Sequence, residues 1–245
     1  MVIRNIKKNV LPLEKILLIS DLDDTLTSSI PIYDRVLKDV FKKNFPKNDF
    51  SSFTLKKFKY DGQDIVKNLR EMTAAYGVSS KDYEQSKSLL INDAITDFSN
   101  RLRSGEKVVV LPGVNEFLEK LSTNSNIKKI LLTGNPRPIA EMILTSVSLD
   151  HHFDIILGGE NGIDKESNLN NALSLSSIFF DGHTLKVVLL GDSPIEAKLA
   201  KKFGFVFIGV ATGSHSKKEL AEIGAGKIFS NLSRVDEIIT EVLKT

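Results

Sequence analysis

The sequence predicts an α/β fold, in which helices cover both faces of a doubly wound parallel sheet and a helical domain is inserted. Three observations lead to this prediction: short apolar runs recur along the chain, helical patterns separate them, and one long stretch carries helical patterns alone. The chain has 245 residues, of which 41% are hydrophobic and 26% charged. It is long enough for one large domain or for a domain with an insertion.

Five short apolar runs are the predicted strands. Each is too short for a typical helix and is apolar on both faces, which is typical of a parallel strand covered by helices on both sides. In chain order the runs are KILLIS at 15–20, KKILLT at 128–133, FDIIL at 153–157, KVVLLG at 186–191 and FVFIGV at 205–210.

Helical patterns lie between these runs. In PGVNEFLEKLS, at 112–122, the apolar residues recur at helical spacing. Two further segments, PIEAKLAKKFG and SKKELAEIG, end on Gly204 and Gly224, and glycine commonly follows the last turn of a helix. The alternation of strand and helix predicts crossover connections and hence a parallel sheet.

The alternation stops between about residue 30 and residue 107, where every pattern is helical. Two helices are predicted in QDIVKNLREMTAAYG at 63–77 and KDYEQSKSLLINDAITDFSNRL at 81–102. A third begins near Pro31, a favoured first helical residue, and its apolar stripe consists of Ile32, Val36, Leu37, Val40 and Phe41. We therefore predict a core of residues 1–29 and 108–245 and a helical insertion of residues 30–107.

Composition narrows the class of function. The net charge of +2 comes from 33 basic and 31 acidic residues spread along the chain, so nothing indicates nucleic acid as a partner. The absence of cysteine excludes thiol catalysis, disulfides and zinc-thiolate sites. No segment has the pattern of a signal peptide or a membrane span. We expect a cytoplasmic protein with a small partner.

Carboxylates follow the first predicted strand, in KILLISDLDDTLTSS. Ligands of open α/β sheets bind beyond the carboxyl ends of the strands, where Asp21 and Asp23 fall, and both side chains can share one side while Leu22 packs on the other. They would repel each other unless a cation neutralises them, and Mg²⁺ is the simplest candidate. An ordinary turn and helix cap is the alternative. An EF-hand loop fits badly, because Leu26 and Ile32 stand where Gly and Glu are needed.

Two later strand ends also carry polar groups. LLTGNPR places the Thr133 hydroxyl and the backbone N–H groups of Gly134 and Asn135 at a helix start, where phosphate oxygens bind readily, although an ordinary helix cap would look the same. LLGDSPIEAKLA sets Asp192 beside a glycine turn. Parallel strands bring their carboxyl ends to one edge, so we expect these groups to meet Asp21 there.

These residues resemble the haloacid dehalogenase-like superfamily of phosphotransferases, over nearly the whole chain. DLDDT matches its DxDxT first motif, LLTG its second and LLGDSPIEAKLAKKFGF its fourth. The third motif is a lysine or arginine, and Lys165 is assigned to it, without the usual proline, because it precedes a helix at about the family's distance from GDS. Lys186 competes, but it starts the strand that ends at Asp192. The insertion looks like the helical cap of the phosphoglycolate phosphatase and β-phosphoglucomutase branch.

The resemblance implies a role for each motif residue. Asp21 would be the nucleophile that forms an aspartyl-phosphate, and Asp23 would protonate the leaving oxygen and then deprotonate water. Mg²⁺ would be held by Asp21, the backbone carbonyl of Asp23 and Asp192. The phosphoryl group would be bound by Thr133 and Lys165. Glu196 would orient metal-bound water, and the predicted specificity residues in the insertion are Lys59, Tyr60 and Gln63.

Other polar residues near these motifs receive structural roles or none. Thr25 is expected to hydrogen-bond the loop backbone, and Asp24 is assigned no role. His151 and His152 lie in a segment before a strand and are expected to be exposed, with no metal role.

The predicted function is a Mg²⁺-dependent phosphatase, monomeric or homodimeric, that acts on a small phosphorylated metabolite such as phosphoglycolate, a sugar phosphate or a nucleoside monophosphate. An acid at Asp23 argues against a dehalogenase, because attack on carbon leaves no oxygen to protonate. A β-phosphoglucomutase-like mutase stays open. A phospho-acceptor module like a response-regulator receiver would be about half this length, and an inactive binding protein has little support because every predicted catalytic residue type is present.

Overall fold

The computed structural model describes residues 15–58, 65–159, 164–180, 185–224 and 226–244. Within them the strands are β1 (Lys15–Ser20), β2 (Thr27–Ser28), β3 (Val109–Val110), β4 (Ile127–Leu132), β5 (Ile155–Leu157), β6 (Leu185–Gly191), β7 (Val206–Val210) and β8 (Gly226–Phe229). The helices are α1 (Ile30–Asn44), α2 (Ile65–Ala74), α3 (Ser80–Arg103), α4 (Val114–Ser122), α5 (Arg137–Ser146), α6 (Lys165–Phe180), α7 (Pro194–Phe203), α8 (Lys217–Glu222) and α9 (Val235–Leu243).

Six strands form one sheet in the order β5-β4-β1-β6-β7-β8, and every neighbouring pair in it is parallel. Side chains of β1 alternate between two apolar clusters: Ile16 and Leu18 join one, while Leu17 and Ile19 join the other. Alternation of this kind is required when helices pack on both faces of a sheet. The predicted α/β fold with a doubly wound parallel sheet is therefore confirmed.

All five predicted strands are present, with small differences at their ends, and β8 was missed. Its four residues include Gly226 and Lys227, and only Phe229 is fully buried. A strand at the edge of a sheet needs less apolar sequence than a central one, so β8 lacks the continuous apolar run that revealed the others.

The helical insertion begins just after β2 and ends just before β3. These two short strands pair antiparallel, with Thr27 opposite Val110 and Ser28 opposite Val109, so the chain enters and leaves the insertion side by side. Two-residue strands leave no periodic signal, and the sequence did not reveal them. The division into residues 1–29 with 108–245 and residues 30–107 stays a prediction.

Inside the insertion, α1 packs against α3, and α2 also contacts α3. The predicted apolar stripe of α1 is buried in full. Aromatic rings extend this core, since the Phe41 ring lies 5.2 Å from that of Phe50 and 5.1 Å from that of Phe53. None of the described helices combines the length and the hydropathy needed to cross a membrane.

Candidate active site

Three neighbouring strands of the sheet, β4, β1 and β6, each end immediately before a predicted site residue: Thr133, Asp21 and Asp192 respectively. The backbone N–H of Asp21 donates to the Leu190 carbonyl at 2.9 Å, which continues the pairing of β1 with β6 to the edge of the sheet. One cavity is lined by these residues together with Asp23, Gly134 and Asn135. The parallel sheet thus brings together six of the predicted site residues.

A tight turn follows β1 and aims both aspartates at the cavity. Leu22 is fully buried, and its carbonyl accepts the N–H of Leu26 at 2.9 Å. Asp24 adopts a left-handed backbone with φ of 55°, which is uncommon for a residue other than glycine but easier for Asp and Asn than for most others. Asp24, which was assigned no role, therefore makes the turn geometrically possible.

Asp23 is held through both carboxylate oxygens. The Ser29 hydroxyl donates to Oδ1, and the side-chain amide of Asn135 donates to Oδ2. Burial raises the pKa of Asp23 above its ordinary value, although these two hydrogen bonds act in the opposite direction. Asp23 is thus oriented by two donors and protonated more readily than an exposed aspartate.

The helix after β4 begins later than predicted, because Thr133, Gly134 and Asn135 were expected at its start. The backbone N–H of Asn135 donates to the Thr133 hydroxyl oxygen at 3.2 Å, and α5 begins two residues later, at Arg137. The contact of the Asn135 side chain with Asp23 was missed, because residues 112 positions apart give no local signal.

Lys165, the first residue of α6, inserts its ammonium group between two carboxylates. Its Nζ lies 2.9 Å from Asp21 Oδ1 and also contacts Glu196 Oε1. Burial alone would lower the pKa of Lys165, but the charges of Asp21 and Glu196 outweigh burial and raise it. Lys186, the competing lysine, lies at the start of β6 and donates to the backbone carbonyls of Glu241 and Lys244. The structure therefore brings Lys165, and not Lys186, to the site.

Asp192 is buried beneath two loops. The Thr25 hydroxyl donates to its Oδ1 at 3.1 Å, so the expected hydrogen bond from Thr25 to the loop backbone is wrong. On the other side, a Cβ atom added to Gly213 would lie 1.9 Å from Oδ2, so only glycine allows this close approach. Burial, then the charges of Asp21 and Glu196, raise the pKa of Asp192 to about 9.

Asp21 has a perturbed pKa for a related reason. Burial raises the pKa of Asp21 to about 7 against the opposing effect of Lys165, and the charges of Glu196 and Asp23 add to the rise. Several acidic groups thus share this edge of the sheet, where Lys165 is the cation that touches two of them.

Glu196 does not line the cavity, but it contacts Lys165, which lies against Asp21. Its carboxylate accepts hydrogen bonds from the Ser193 hydroxyl and from the Ser193 backbone N–H, and it pairs with Lys165. Ser193 and Glu196 thereby form a capping box at the start of α7. The predicted contact of Glu196 with metal-bound water stays a prediction, and its contacts here assign it the positioning of Lys165.

The residues present suit a hard divalent cation. No group of three or more His, Cys, Asp or Glu side chains in the described ranges is arranged to hold a metal, but the predicted set needs only the Asp21 and Asp192 carboxylates and one backbone carbonyl. Both carboxylates are largely buried, and the charge of Asp21 adds to the raised pKa of Asp192. Oxygen donors with uncompensated negative charge are what Mg²⁺ binds in proteins.

The other predicted residues fall outside this geometry. Lys59, Tyr60 and Gln63 lie outside the described residues. His151 is exposed as expected, but the expectation is wrong for His152, which is buried with its Nδ1 3.1 Å from the Ser122 hydroxyl. Neither histidine lines the cavity.

The cavity lies between the sheet edge and the helical insertion and encloses about 90 Å³. This volume suits a small molecule and excludes a folded macromolecule. The insertion contributes one wall, made of Ile30, Tyr33, Leu37, Leu55, Ile65, Asn68 and Met72. None of these wall residues was named from the sequence as a site residue, because four of them fit ordinary apolar helix stripes.

The proteins to which this chain is similar include ones described as phosphoglycolate phosphatases and one described as a phosphomutase. A phosphoglycolate phosphatase from Colwellia psychrerythraea is 22% identical over 231 residues, which are 91% of this chain and 96% of that protein. A structure described as a predicted phosphoglycolate phosphatase from Haemophilus somnus has a TM-score of 0.67 at 18% identity, covering 94% of this chain and 99% of the other. A candidate β-phosphoglucomutase from Bacteroides vulgatus has a TM-score of 0.64 at 14% identity, covering 95% and 92%. These two structures establish likeness of fold alone.

A family model described as haloacid dehalogenase-like hydrolase matches residues 18–210. The matched range is most of the chain and contains the strand-end residues Asp21, Thr133 and Asp192 together with Lys165. The chain therefore belongs to the haloacid dehalogenase-like hydrolase family.

Proposed function

We propose that the protein is a Mg²⁺-dependent phosphatase that hydrolyses a small phosphorylated metabolite through an aspartyl-phosphate on Asp21. The observation that carries the proposal is that Asp21 and Asp23 line one cavity and have different hydrogen-bond partners. Asp21 touches the Lys165 ammonium group, which favours the ionised form against the burial that raises the pKa of Asp21 to about 7, whereas Asp23 accepts hydrogen bonds only from neutral donors and its pKa is raised by burial. This is the arrangement that a nucleophile and a general acid require.

The chain's own residues account for both halves of the reaction. In the first, a carboxylate oxygen of Asp21 bonds to phosphorus while the ester P–O bond breaks, and Asp23 gives its proton to the departing alcohol oxygen. In the second, Asp23 takes a proton from water as the water oxygen attacks phosphorus, which releases phosphate and restores the Asp21 carboxylate. Ser29 and Asn135 keep the Asp23 oxygens in one orientation through both steps.

Charge stabilisation would come from groups fixed before the reaction. Lys165 lies against Asp21 and would contact the transferring phosphoryl group, together with the Thr133 hydroxyl. Bound by Asp21, the Asp23 carbonyl and Asp192, Mg²⁺ would neutralise part of the phosphate charge. Glu196 pairs with Lys165 and would keep its ammonium group beside Asp21.

The relatives support a phosphatase, since the curated relative from Colwellia psychrerythraea is a phosphoglycolate phosphatase. A phosphomutase would use the same residues but return the phosphoryl group from Asp21 to a second substrate hydroxyl. The two activities are separated by one measurement, because only the phosphatase releases inorganic phosphate in proportion to the ester consumed.

The test is phosphate release from a panel of phosphorylated metabolites, with Mg²⁺ and with a chelator, for wild type and Asp21→Asn. We expect metal-dependent release that falls by at least about a thousandfold in the variant. Asp39→Asn is the matched control, because it makes the same change at a carboxylate of α1 whose side chain is 58% exposed. Circular dichroism of Asp21→Asn checks that the variant is folded. Release by Asp21→Asn at the wild-type rate would refute the mechanism.

A further inference from the structure

The loop after β7 contacts two segments that carry predicted site residues. This β7–α8 loop comprises residues 211–216. The Thr212 hydroxyl donates to the backbone carbonyl of Asp24. A Cβ atom added to Gly213 would lie 3.2 Å from the Asp24 Cβ and 1.9 Å from Asp192 Oδ2. Two consecutive residues of the loop thus join the turn after β1 to the carboxylate after β6.

Both ends of the β7–α8 loop are fixed by the fold. At its start, the Ala211 backbone N–H donates to the Phe229 carbonyl at 2.9 Å, which continues the pairing of β7 with β8 by one residue. At its end, Ser216 and Glu219 exchange side-chain and backbone hydrogen bonds in a capping box that begins α8. Thr212 therefore belongs to a segment that is held on both sides, and its hydroxyl is a fixed support for the turn it contacts.

The turn needs a support because Asp24 has a left-handed backbone. A residue other than glycine reaches a φ of 55° only at a steric cost, which rotation of a neighbouring peptide would relieve. The peptide before Asp24 is held by the Asp24 N–H, which donates to the Thr27 carbonyl at 2.7 Å. The peptide after Asp24 is held by the Thr212 hydroxyl and by a long bond of 3.4 Å from the Thr25 N–H to the Leu22 carbonyl. Without the hydroxyl, only the long bond opposes rotation of this second peptide.

This turn carries two groups of the predicted Mg²⁺ site. The Asp23 carbonyl, a predicted ligand, belongs to the peptide before Asp24, and no backbone N–H in the described part of the chain donates to it. The residue after Asp24 is Thr25, whose hydroxyl donates to Asp192 Oδ1 at 3.1 Å. A rotation about the Asp24 backbone would therefore move the carbonyl and the hydroxyl relative to Asp192.

Resting on the proposed Mg²⁺-dependent phosphatase, we infer that Thr212 is a positioning residue for the metal site: its hydroxyl holds the left-handed turn, which fixes the Asp23 carbonyl and the Thr25 hydroxyl relative to Asp192. Thr212 does not line the cavity, so it acts through the turn and not by touching the substrate. Groups that orient metal ligands typically contribute about ten- to a hundredfold to metal affinity.

The test is titration calorimetry with Mg²⁺ on protein that has been stripped of metal with a chelator and then dialysed. Thr212→Val keeps the branched shape of the side chain and removes the hydroxyl. We expect it to weaken Mg²⁺ binding by about tenfold. Thr212→Ala removes the same hydroxyl without an added methyl group at its place and should match Thr212→Val. Thr212→Ser retains the hydroxyl and should bind Mg²⁺ within about twofold of wild type.

Thr240→Val is the matched control. The Thr240 hydroxyl also donates to a backbone carbonyl, that of Asp236 at 2.8 Å, but it lies in α9 and does not line the cavity. The control should leave Mg²⁺ affinity unchanged. The melting temperature in chelator, measured for the same variants, separates positioning from stability. A hydroxyl with a merely structural role would lower the melting temperature of Thr212→Val and leave its Mg²⁺ affinity at the wild-type value.

The outcomes separate this inference from the function on which it rests. Equal Mg²⁺ affinity in Thr212→Val and wild type would overturn the inference and leave the proposed phosphatase in place. Binding by Thr212→Ser as weak as that by Thr212→Val would also overturn it, because the hydroxyl would then not be the group that matters. If the wild type itself binds no Mg²⁺, the metal dependence of the proposed function fails, and the inference fails with it.

Discussion

Replacement of Lys165 by methionine is the most informative perturbation of stability. The Lys165, Asp21 and Glu196 side chains are 5%, 11% and 5% exposed, so the variant leaves two buried carboxylates without the ammonium group that touches both. Methionine keeps most of the apolar volume of the lysine stem, so lost packing contributes little. The change isolates the loss of one buried charge.

The expected cost follows from this geometry. Removing one partner of a buried ion pair typically destabilises a protein by about 3–5 kcal/mol. For a protein of this size, each kcal/mol shifts the melting temperature by about 2–4 °C, so we expect a drop of about 6–20 °C at pH 8 in chelator. The drop should shrink at pH 5, because Asp21 and Asp192, with pKa values raised to about 7 and about 9, take up protons there.

Differential scanning calorimetry at pH 8 and pH 5 measures both effects. Lys186→Met is the control. Lys186 lies at the end of β6 remote from Asp192, and its ammonium group donates to backbone carbonyls rather than to carboxylates. A drop in the melting temperature no larger than that of Lys186→Met, or one that grows between pH 8 and pH 5, would refute the reasoning.

Two further predictions concern pH and metal binding. In chelator, the native pKa values of Asp21 and Asp192 exceed the ordinary value of 3.8, so the folded state binds more protons than the unfolded state between about pH 4 and pH 9. The free energy of unfolding should therefore fall as pH rises through that window. Urea unfolding at pH 5, 7 and 9 measures this, and a rise would contradict it. Thr25→Val removes the hydrogen bond to Asp192 and should weaken Mg²⁺ binding about tenfold in titration calorimetry. Thr27→Val, its control, removes a buried hydroxyl that has no partner among the described residues; it should leave Mg²⁺ affinity unchanged and raise stability by about 1 kcal/mol. Equal Mg²⁺ affinities in the two variants would contradict the role of Thr25.

The sequence could reveal the framework of the site because that framework is local. Each of Asp21, Thr133 and Asp192 directly follows an apolar strand, and parallel pairing then places the three residues at one edge without further information. The same reasoning separates Lys165 from Lys186. Lys165 comes after the carboxyl end of β5, at the start of α6, whereas Lys186 lies near the amino end of β6.

The contacts that orient Asp23 and Asp192 could not be predicted from the sequence. Thr25 meets Asp192 across 167 positions and Asn135 meets Asp23 across 112, and no periodic pattern reports such pairs. Tyr33 belongs to an apolar helix face, where a tyrosine has the same spacing as a core residue. His152 was expected to be exposed because it lies in a segment before a strand, but it is buried and its Nδ1 contacts the Ser122 hydroxyl.

The paired strands β2 and β3 have a consequence for how this protein could be re-engineered. Because the chain leaves the core at Ser28 and returns at Val109 on adjacent strands, both covalent connections of the insertion lie at one attachment, while α3 also packs against α5. Ser29, the first residue beyond β2, donates to Asp23, so the attachment also carries part of the acid's support. A graft of another helical domain that begins at residue 30 would retain the Ser29 contact with Asp23, whereas one that begins at residue 29 with a residue unable to donate would lose it.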